Sequence, residues 1–354
     1  MVKKIALIYH SADADGYLSA LLFSEVCRLT RQATNLTVEL TLFPYNYEHD
    51  VKFTQELIDG NFTDVVFADV TPPADWLIEM SNKHFQDVTT VTIFDHHSSK
   101  FNEINHRMLD TKCRFNYIYT EKDSASKIIF DYFWMDMHGQ NLFSFFNTDM
   151  NHNYLHLGDY QYIMNAVKLV DRFDSWKWWN DFITMNDEQP NVYYIGLFDR
   201  INELSKNSEQ STNMYLSNVC KHSSLEVFFG QQNDSIINNG NIIANKEKAI
   251  AKSLKIKKKS KFVVIANGVN SYLQKRVIEE FPDVDYALYY KPDSKTDPEM
   301  MKLSLRSINI NYNVAEHAKK IFGPGSGGHA NSAGARCTGL QLFTYLNSDV
   351  EQTT

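Results

Sequence analysis

The sequence predicts an α/β protein of two domains: an N-terminal parallel sheet with helices on both faces, then a smaller C-terminal α/β domain. Three observations carry this expectation. Short apolar runs of strand length alternate with helical patterns along the first half of the chain, as a buried parallel sheet with crossover helices requires. Three of those strands run directly into acidic or histidine-bearing turns, and in such sheets ligands bind at the carboxyl ends of the strands. The 354 residues are too many for one ordinary core and suit two.

In chain order, residues 3–9 read as a buried strand, 11–16 as a polar turn and 17–29 as an apolar helix. Strands follow at 38–43, 65–68 and 88–94, with helical stretches at 51–58 and 76–81 between them. Residues 124–138 predict a helix opened by Asp123 or Ser124 as its N-cap. A further helix is predicted at 160–179, rich in aromatics; Trp176, Trp178 and Trp179 suit a core or interface better than base stacking. From 186 to 240 the pattern loosens into clusters of Asn, Ser and Gln, which reads as a linker. The expected division is therefore 1–185, a linker at 186–240, and a second domain at 241–354. There, a helix at 246–254, strands at 262–266, 286–290 and 302–306, and a helix at 314–321 lead into a glycine-rich run at 323–334. The lysine run at 255–261 reads as a solvated helix end.

Composition excludes several classes. Hydrophobic residues at 43% and charged residues at 22% are globular values. Cys27, Cys113, Cys220 and Cys337 lie far apart with no Cys-x-x-Cys pair, so no zinc knuckle or disulfide framework is indicated and a reducing, cytoplasmic setting is expected. Asp13 and Asp15 interrupt the N-terminal apolar stretch before it could serve as a signal peptide. No apolar run approaches the ~20 residues that span a bilayer, so no membrane partner is expected. The net charge of −8 argues against a chain built to coat nucleic acid. It leaves room for a short anionic substrate, because bound cations supply positive charge locally.

Three strand-end constellations carry chemistry. His10-Ser-Ala-Asp13-Ala-Asp15-Gly16 offers carboxylate oxygens and one imidazole, a donor set that suits Mn²⁺, Mg²⁺ or Co²⁺ better than a structural zinc. Gly16 allows a tight strand-to-helix turn, although Asp and Gly also supply ordinary caps and turns. Asp69 closes the strand Val65-Val-Phe-Ala and precedes a Pro-Pro pair, where an Asp is commonly a turn former. Asp95-His96-His97 places a carboxylate and two imidazoles where a strand ends, which packing explains poorly and metal or proton chemistry explains well.

Taken together, His10/Asp13/Asp15, Asp69 and Asp95-His96-His97 resemble motifs I, II and III of the DHH phosphoesterases. The run Gly327-Gly-His-Ala-Asn-Ser-Ala-Gly334 is similar to the glycine-rich motif of that family's associated C-terminal domain, DHHA1, and Ser304-Leu-Arg306 to its substrate-contacting strand. The resemblance covers nearly the whole chain, in the family's order. It implies two divalent cations, manganese first. His10, Asp13 and Asp69 would hold one; Asp15, Asp69 and His96 the other, with Asp69 bridging. Asp95 would orient the histidines and His97 would face the substrate phosphate. The family's fourth motif adds an aspartate to the second metal; Asp171 fits best, with Asp174 and Asp159 as alternatives. Ser304, Arg306, Gly327, Gly328 and His329 would bind substrate. The implied activity is hydrolysis of short oligonucleotides (nano-RNA) to nucleoside monophosphates by two-metal activation of water. Cyclic dinucleotides, long single strands, and pyrophosphate or polyphosphate are the alternatives within the superfamily, and a non-catalytic nucleotide-binding regulator is the alternative outside it. The expected partner is a short nucleic acid or nucleotide, and a homodimer stays open.

Overall fold

The computed structural model describes residues 2–34, 36–46, 54–85, 90–98, 101, 104, 113–135, 145–146, 160–175, 177, 188–207, 211–222, 224–253, 257–258, 262–266, 277–278, 280–281, 283–293, 299–309, 311–323 and 325–347. The chain divides into two compact units, Met1–Ile243 and Ala244–Thr354.

The first unit is a parallel sheet of β1 (Val2–His10), β2 (Thr37–Tyr45), β3 (Asp64–Ala68), β4 (Thr90–Asp95) and β5 (Arg114–Tyr119), in the order β2-β1-β3-β4-β5. Side chains alternate between its faces. Ala6 and Ile8 of β1 join Val65, Phe67, Val91 and Ile93 on one face. That face is covered by Leu57 of α2 (Thr54–Asp59) and by Ala74, Leu77 and Met80 of α3 (Ala74–Lys83). On the other face Phe94 meets Phe23 of α1 (Ala14–Ala33) and Phe133 of α4 (Ala125–Trp134). Each such buried ring contributes about 1.5–3 kcal/mol over its exposed state. Helices on both faces are what the alternating apolar runs predicted.

Several boundaries differ from the expectation. The helix α1 begins at Ala14, so Asp15 and Gly16 belong to its first turn rather than to a loop; the Asp13 side chain caps it by accepting from Gly16 N at 2.9 Å. The edge strand β5 was not expected. Its residues are half-buried or exposed, and its mixed sequence, with Arg114 and Asn116, gives no continuous apolar run. The helix α5 (Gln161–Asp174) ends earlier than predicted, and Asp159, Trp176, Trp178 and Trp179 lie outside the described residues.

The segment expected as a linker is helical: α6 (Gln189–Asn207), α7 (Thr212–His222) and the start of α8 (Leu225–Ser253). The unit boundary falls inside α8, 18 residues after its start (243 − 225). Most of the described Asn, Ser and Gln that read as a loop lie at half-buried or exposed helix positions, although Asn191 and Ser205 are buried along with Tyr193, Leu197, Ile201, Phe229 and Ile236. A Cβ on Gly196 would stand 2.0 Å from Ile236 O, and one on Gly240 1.9 Å from Val192 O. These glycines are contact points where α6 and α8 touch backbone to backbone, not breakers.

The second unit is a mixed sheet of β6 (Lys257–Lys258), β7 (Phe262–Ala266), β8 (Tyr286–Pro292), β9 (Met300–Arg306), β10 (Gly327–His329) and β11 (Ser332–Thr338), ordered β10-β11-β9-β8-β7-β6. Its apolar face, with Leu288, Leu303, Leu305, Ala333 and Ala335, packs on Val314 and Ala318 of α9 (Val314–Phe322) and on Leu342 and Tyr345 of α10 (Gly339–Asn347). The glycine run is only partly loop: Gly327–His329 pairs antiparallel with β11. Gly328 needs to be glycine, since its φ is 142° and a Cβ there would lie 2.2 Å from Ser332 O. Of the lysine run, Lys257 and Lys258 form β6 rather than a helix end, and the rest lies outside the described residues.

Candidate metal centre

In the order β2-β1-β3-β4-β5 the chain leaves β1 towards one side for β2 and is found on the other side at β3. That reversal opens a crevice at the carboxyl ends of β1 and β3. The register sets Tyr9 opposite Ala68, and Ala68 opposite Phe94. His10, Asp69 and His96 therefore emerge from three adjacent strand ends at one level. The first turn of α1 brings Asp13 and Asp15 to the same place. A Cβ on Gly16 would lie 1.9 Å from His10 O, so only glycine lets the helix start this close to the strand end.

Two overlapping donor groups result. His10, Asp13 and Asp69 form one; Asp15, His96 and Asp174 form the other, and Asp69 also clusters with His96. His10 Nδ1 is 2.9 Å from Asp13 Oδ2 and 3.4 Å from Asp69 Oδ2. His96 Nε2 is 3.4 Å from Asp69 Oδ1 and 3.2 Å from Asp174 Oδ2. Asp69 thus turns one oxygen to each group. Both oxygens are buried and neither makes a hydrogen bond among the described residues. Among the described residues, compensation of Asp69 comes only from the two imidazoles at 3.4 Å, long contacts for a buried carboxylate. Donors about 2.1 Å from a shared cation lie roughly 3 Å apart at right angles, which is the spacing found here. The donor set fits a divalent cation in each group. Asp69 also holds φ at 59°, a left-handed conformation uncommon outside glycine and typical of strained functional positions.

The surrounding contacts fix the donors. Fully buried Asp15 accepts from Ala125 N at 2.8 Å and Ser126 N at 3.0 Å, so the N-terminus of α4 orients it. Asp95, also fully buried, accepts from His96 N at 2.7 Å, and its Oδ1 lies 2.7 Å from His97 Nδ1. Its other oxygen accepts from the Thr71 hydroxyl, which is 3.0 Å from Tyr117 Oη. Asp95 thereby sets the His97 ring, which is partly exposed.

The two described candidates for the fourth-motif aspartate differ in their surroundings. Asp171 does not reach the cluster: Ser124 N donates to its Oδ1 at 2.8 Å and Lys177 Nζ to its Oδ2 at 2.7 Å. Asp174, three residues on and nearly one helical turn away, takes the place beside His96. Sequence spacing could not choose between them, because the choice depends on how α5 is rotated. Thr71, Tyr117 and Lys177 gave no sequence signal. Of the substrate-binding candidates, Ser304, Arg306, Gly327 and Gly328 lie in the second unit, and the His329 side chain lies outside the described residues.

Without a cation the centre is electrostatically tense. Burial disfavours charge on His10, but Asp13 and Asp69 overcome it and hold its pKa well above the usual value; Asp69, Asp174 and Asp15 do the same for His96. Burial and the neighbouring Asp69 push Asp174 up to about 7 against the pull of His96. Burial, Asp69 and Asp174 likewise raise Asp15. Burial would also raise Asp69, yet His10 and His96 bring it far below the carboxylate range.

No protein-family model matches the chain, and no curated protein matches it in sequence. Solved structures match in fold. The exonuclease RecJ bound to manganese aligns over 99% of this chain and 89% of its own, with 14% identity and a TM-score of 0.51. An exopolyphosphatase-related protein from Bacteroides fragilis aligns over 97% and 90%, with 12% identity and a TM-score of 0.50. PggH, a pGpG-specific phosphodiesterase from Vibrio cholerae, covers 98% and 99% at 17% identity, but its TM-score of 0.47 adds no weight. Identities this low establish shared architecture alone: the chain has the fold of these proteins, a parallel sheet flanked by helices followed by a second, smaller sheet.

Proposed function

We propose that the protein is a metal-dependent phosphodiesterase that hydrolyses short oligonucleotides to nucleoside monophosphates. The observation that carries this is Asp69, buried and strained, with its two oxygens turned to two separate groups of His and Asp donors. His10 and Asp13 would hold one cation with Asp69, and Asp15, His96 and Asp174 the second, manganese being the first choice in view of the RecJ fold match. Bound there, two divalent cations supply Lewis-acid activation of water and neutralise charge on the phosphate oxygens.

The chain's own groups do the rest. Asp95 fixes the His97 ring through Nδ1, and in its imidazolium form, with both nitrogens protonated, His97 would donate from Nε2 to a phosphate oxygen without reorganisation at the moment of reaction. Arg306, at the end of β9, is half-buried; its Nη1 donates to Leu305 O at 3.0 Å, and no carboxylate pairs with it among the described residues. Burial lowers it only to about 10, so it stays charged and can form paired hydrogen bonds to a phosphate. Backbone amides at Gly327 and Gly328 suit a second phosphate. A net charge of −8 disfavours long nucleic acid, which is bound largely through phosphate charge, and so supports a short substrate. Cys27, Cys113 and Cys337 are free thiols, as a reducing cytoplasm would keep them.

The test is Mn²⁺-dependent hydrolysis of a 5′-phosphorylated RNA dinucleotide beside a long single strand, a cyclic dinucleotide, pyrophosphate and polyphosphate, with Asp69→Ala as control. Conversion of the dinucleotide to monophosphates, lost in the variant, is the expected result. Faster turnover of polyphosphate would move the substrate towards that suggested by the second fold match. No turnover with metal bound would leave the non-catalytic nucleotide-binding reading.

A further inference from the structure

The second unit carries a row of cations that this chemistry does not use. Register sets Lys291 of β8 opposite Lys302 of β9, and Lys302 opposite Arg336 of β11. Residues directly opposite one another share a face of the sheet, and faces alternate along each strand. The row therefore lies on the face of Ser304 and Arg306, opposite to the packed face of Leu303 and Leu305. Direct contacts agree: the Asp293 carboxylate is 3.6 Å from Lys302 Nζ and 3.2 Å from Arg336 Nε.

Over β7 and β8 this face is covered by an apolar cluster that includes Ala251, Val277 and Ile278. Over β9 and β11 it is polar. Gly334 stands opposite Ser304, and a Cβ built on it would meet nothing within 4 Å, so the floor between Arg306 and the cationic row is low and open. At about 3.4 Å per residue, Lys302 lies roughly 14 Å along β9 from Arg306. A structural staple for Asp293 needs one cation. Here it meets two, with exposed Lys291 beside them, in a chain of net charge −8. Two cations about one carboxylate, with a third beside them, leave a local excess of positive charge.

We propose that Lys291, Lys302 and Arg336 form a second anion subsite, which holds a phosphate of a nucleic-acid strand whose leading phosphate is held at Arg306. The substrate class rests on the phosphodiesterase reading; the subsite itself rests on the sheet. The two phosphates of a 5′-phosphorylated dinucleotide lie only one backbone repeat apart, too close together to reach both positions. Longer strands reach both, so the row tunes affinity to length.

KM and kcat of the Mn²⁺-loaded protein are measured for 5′-phosphorylated ribonucleotides two, three, four and six residues long, at several salt concentrations. The double variant Lys291→Gln/Arg336→Gln should raise KM for the hexanucleotide about tenfold and for the dinucleotide less than twofold. Each lost cation should flatten the slope of log affinity against log salt by about 0.7. Lys302→Gln is made together with Asp293→Asn, so that no buried charge is stranded; this pair removes one charge of each sign and should raise KM less than the double variant, again only for the longer strands. An equal change at every length would overturn the subsite in favour of a general steering field. No change at any length would reduce the row to a staple for Asp293. Should the unaltered protein cleave no oligonucleotide, the phosphodiesterase reading fails. The subsite is then judged by fluorescence anisotropy of a labelled hexanucleotide on the Asp69→Ala background: binding weakened by the row substitutions supports it, and unchanged binding overturns it.

Discussion

Replacing Gly16 by alanine adds one methyl group, and the structure gives the size of the insult. A Cβ on Gly16 would stand 1.9 Å from His10 O and 2.7 Å from His10 C, whereas ordinary contact begins near 3.4 Å. The start of α1 must therefore withdraw from the end of β1 by about 1.5 Å, the difference between 3.4 and 1.9 Å. Gly16 is not among the positive-φ residues, so the effect is steric, without backbone strain. Asp13, whose carboxylate accepts from Gly16 N, and Asp15, next to it in the chain, move with the helix, while His10 stays with the sheet. The 2.9 Å contact between His10 and Asp13 opens, and the two donor groups lose register. Overpacking of this kind costs about 1–3 kcal/mol of stability. An ångström of misplacement at a reacting centre costs on the order of 100-fold in rate. Calorimetric titration with Mn²⁺ and thermal unfolding in EDTA separate the two losses. If Gly16→Ala bound Mn²⁺ like the unaltered protein and melted at the same temperature, the close approach of α1 to β1 would be wrong, and with it the assembly of the centre.

Asp174→Asn should weaken Mn²⁺ binding at least tenfold by titration, a loss on the scale of disturbing a metal site. Asp171→Asn should leave that affinity within about threefold and cost under ~1 kcal/mol, because the pair it loses with Lys177 is partly exposed. Thr71→Val removes a hydroxyl that bonds buried Asp95. It should lower kcat about tenfold with little change in KM and cost about 1–3 kcal/mol, while Thr71→Ser restores both; equal kinetics for Val and Thr would exclude a role in setting His97. The metal-free protein should lose stability as pH rises above about 6, where free imidazoles deprotonate. The raised pKa values of His10 and His96 contribute stability below their unfolded values that disappears as pH rises through the folded ones. Asp174, raised to about 7, must then carry a partly buried charge, which acts in the same direction as pH rises towards 7. Asp69 and Asp95, both depressed, act only at more acid pH. Scanning calorimetry in EDTA and in Mn²⁺ should show a gap that widens with pH; a flat metal-free profile would contradict it.

Much of the architecture was legible in the sequence. The strand cores at 5–9, 65–68 and 91–94 are apolar because both faces of a parallel sheet are buried, so they announce themselves. The polar residues that follow them were legible as a site for the same reason, since a chain leaving such a strand enters the crevice. What sequence could not give depended on neighbours distant in the chain. The edge strand β5 is half covered and compositionally mixed. The Asn-rich segment is helical because its apolar residues find partners, with Gly196 and Gly240 serving close backbone contact. The exchange of Asp171 for Asp174 follows from the packing of α5, which hands one carboxylate to Ser124 N and Lys177 and the other to His96. Sequence by itself determined which donors exist and the strand ends that present them, because burial and hydrogen-bond capacity are written into residue type. Only the tertiary structure decided which oxygens meet which nitrogens, because a helix rotated by a fraction of a turn moves a carboxylate farther than any ligand bond can stretch.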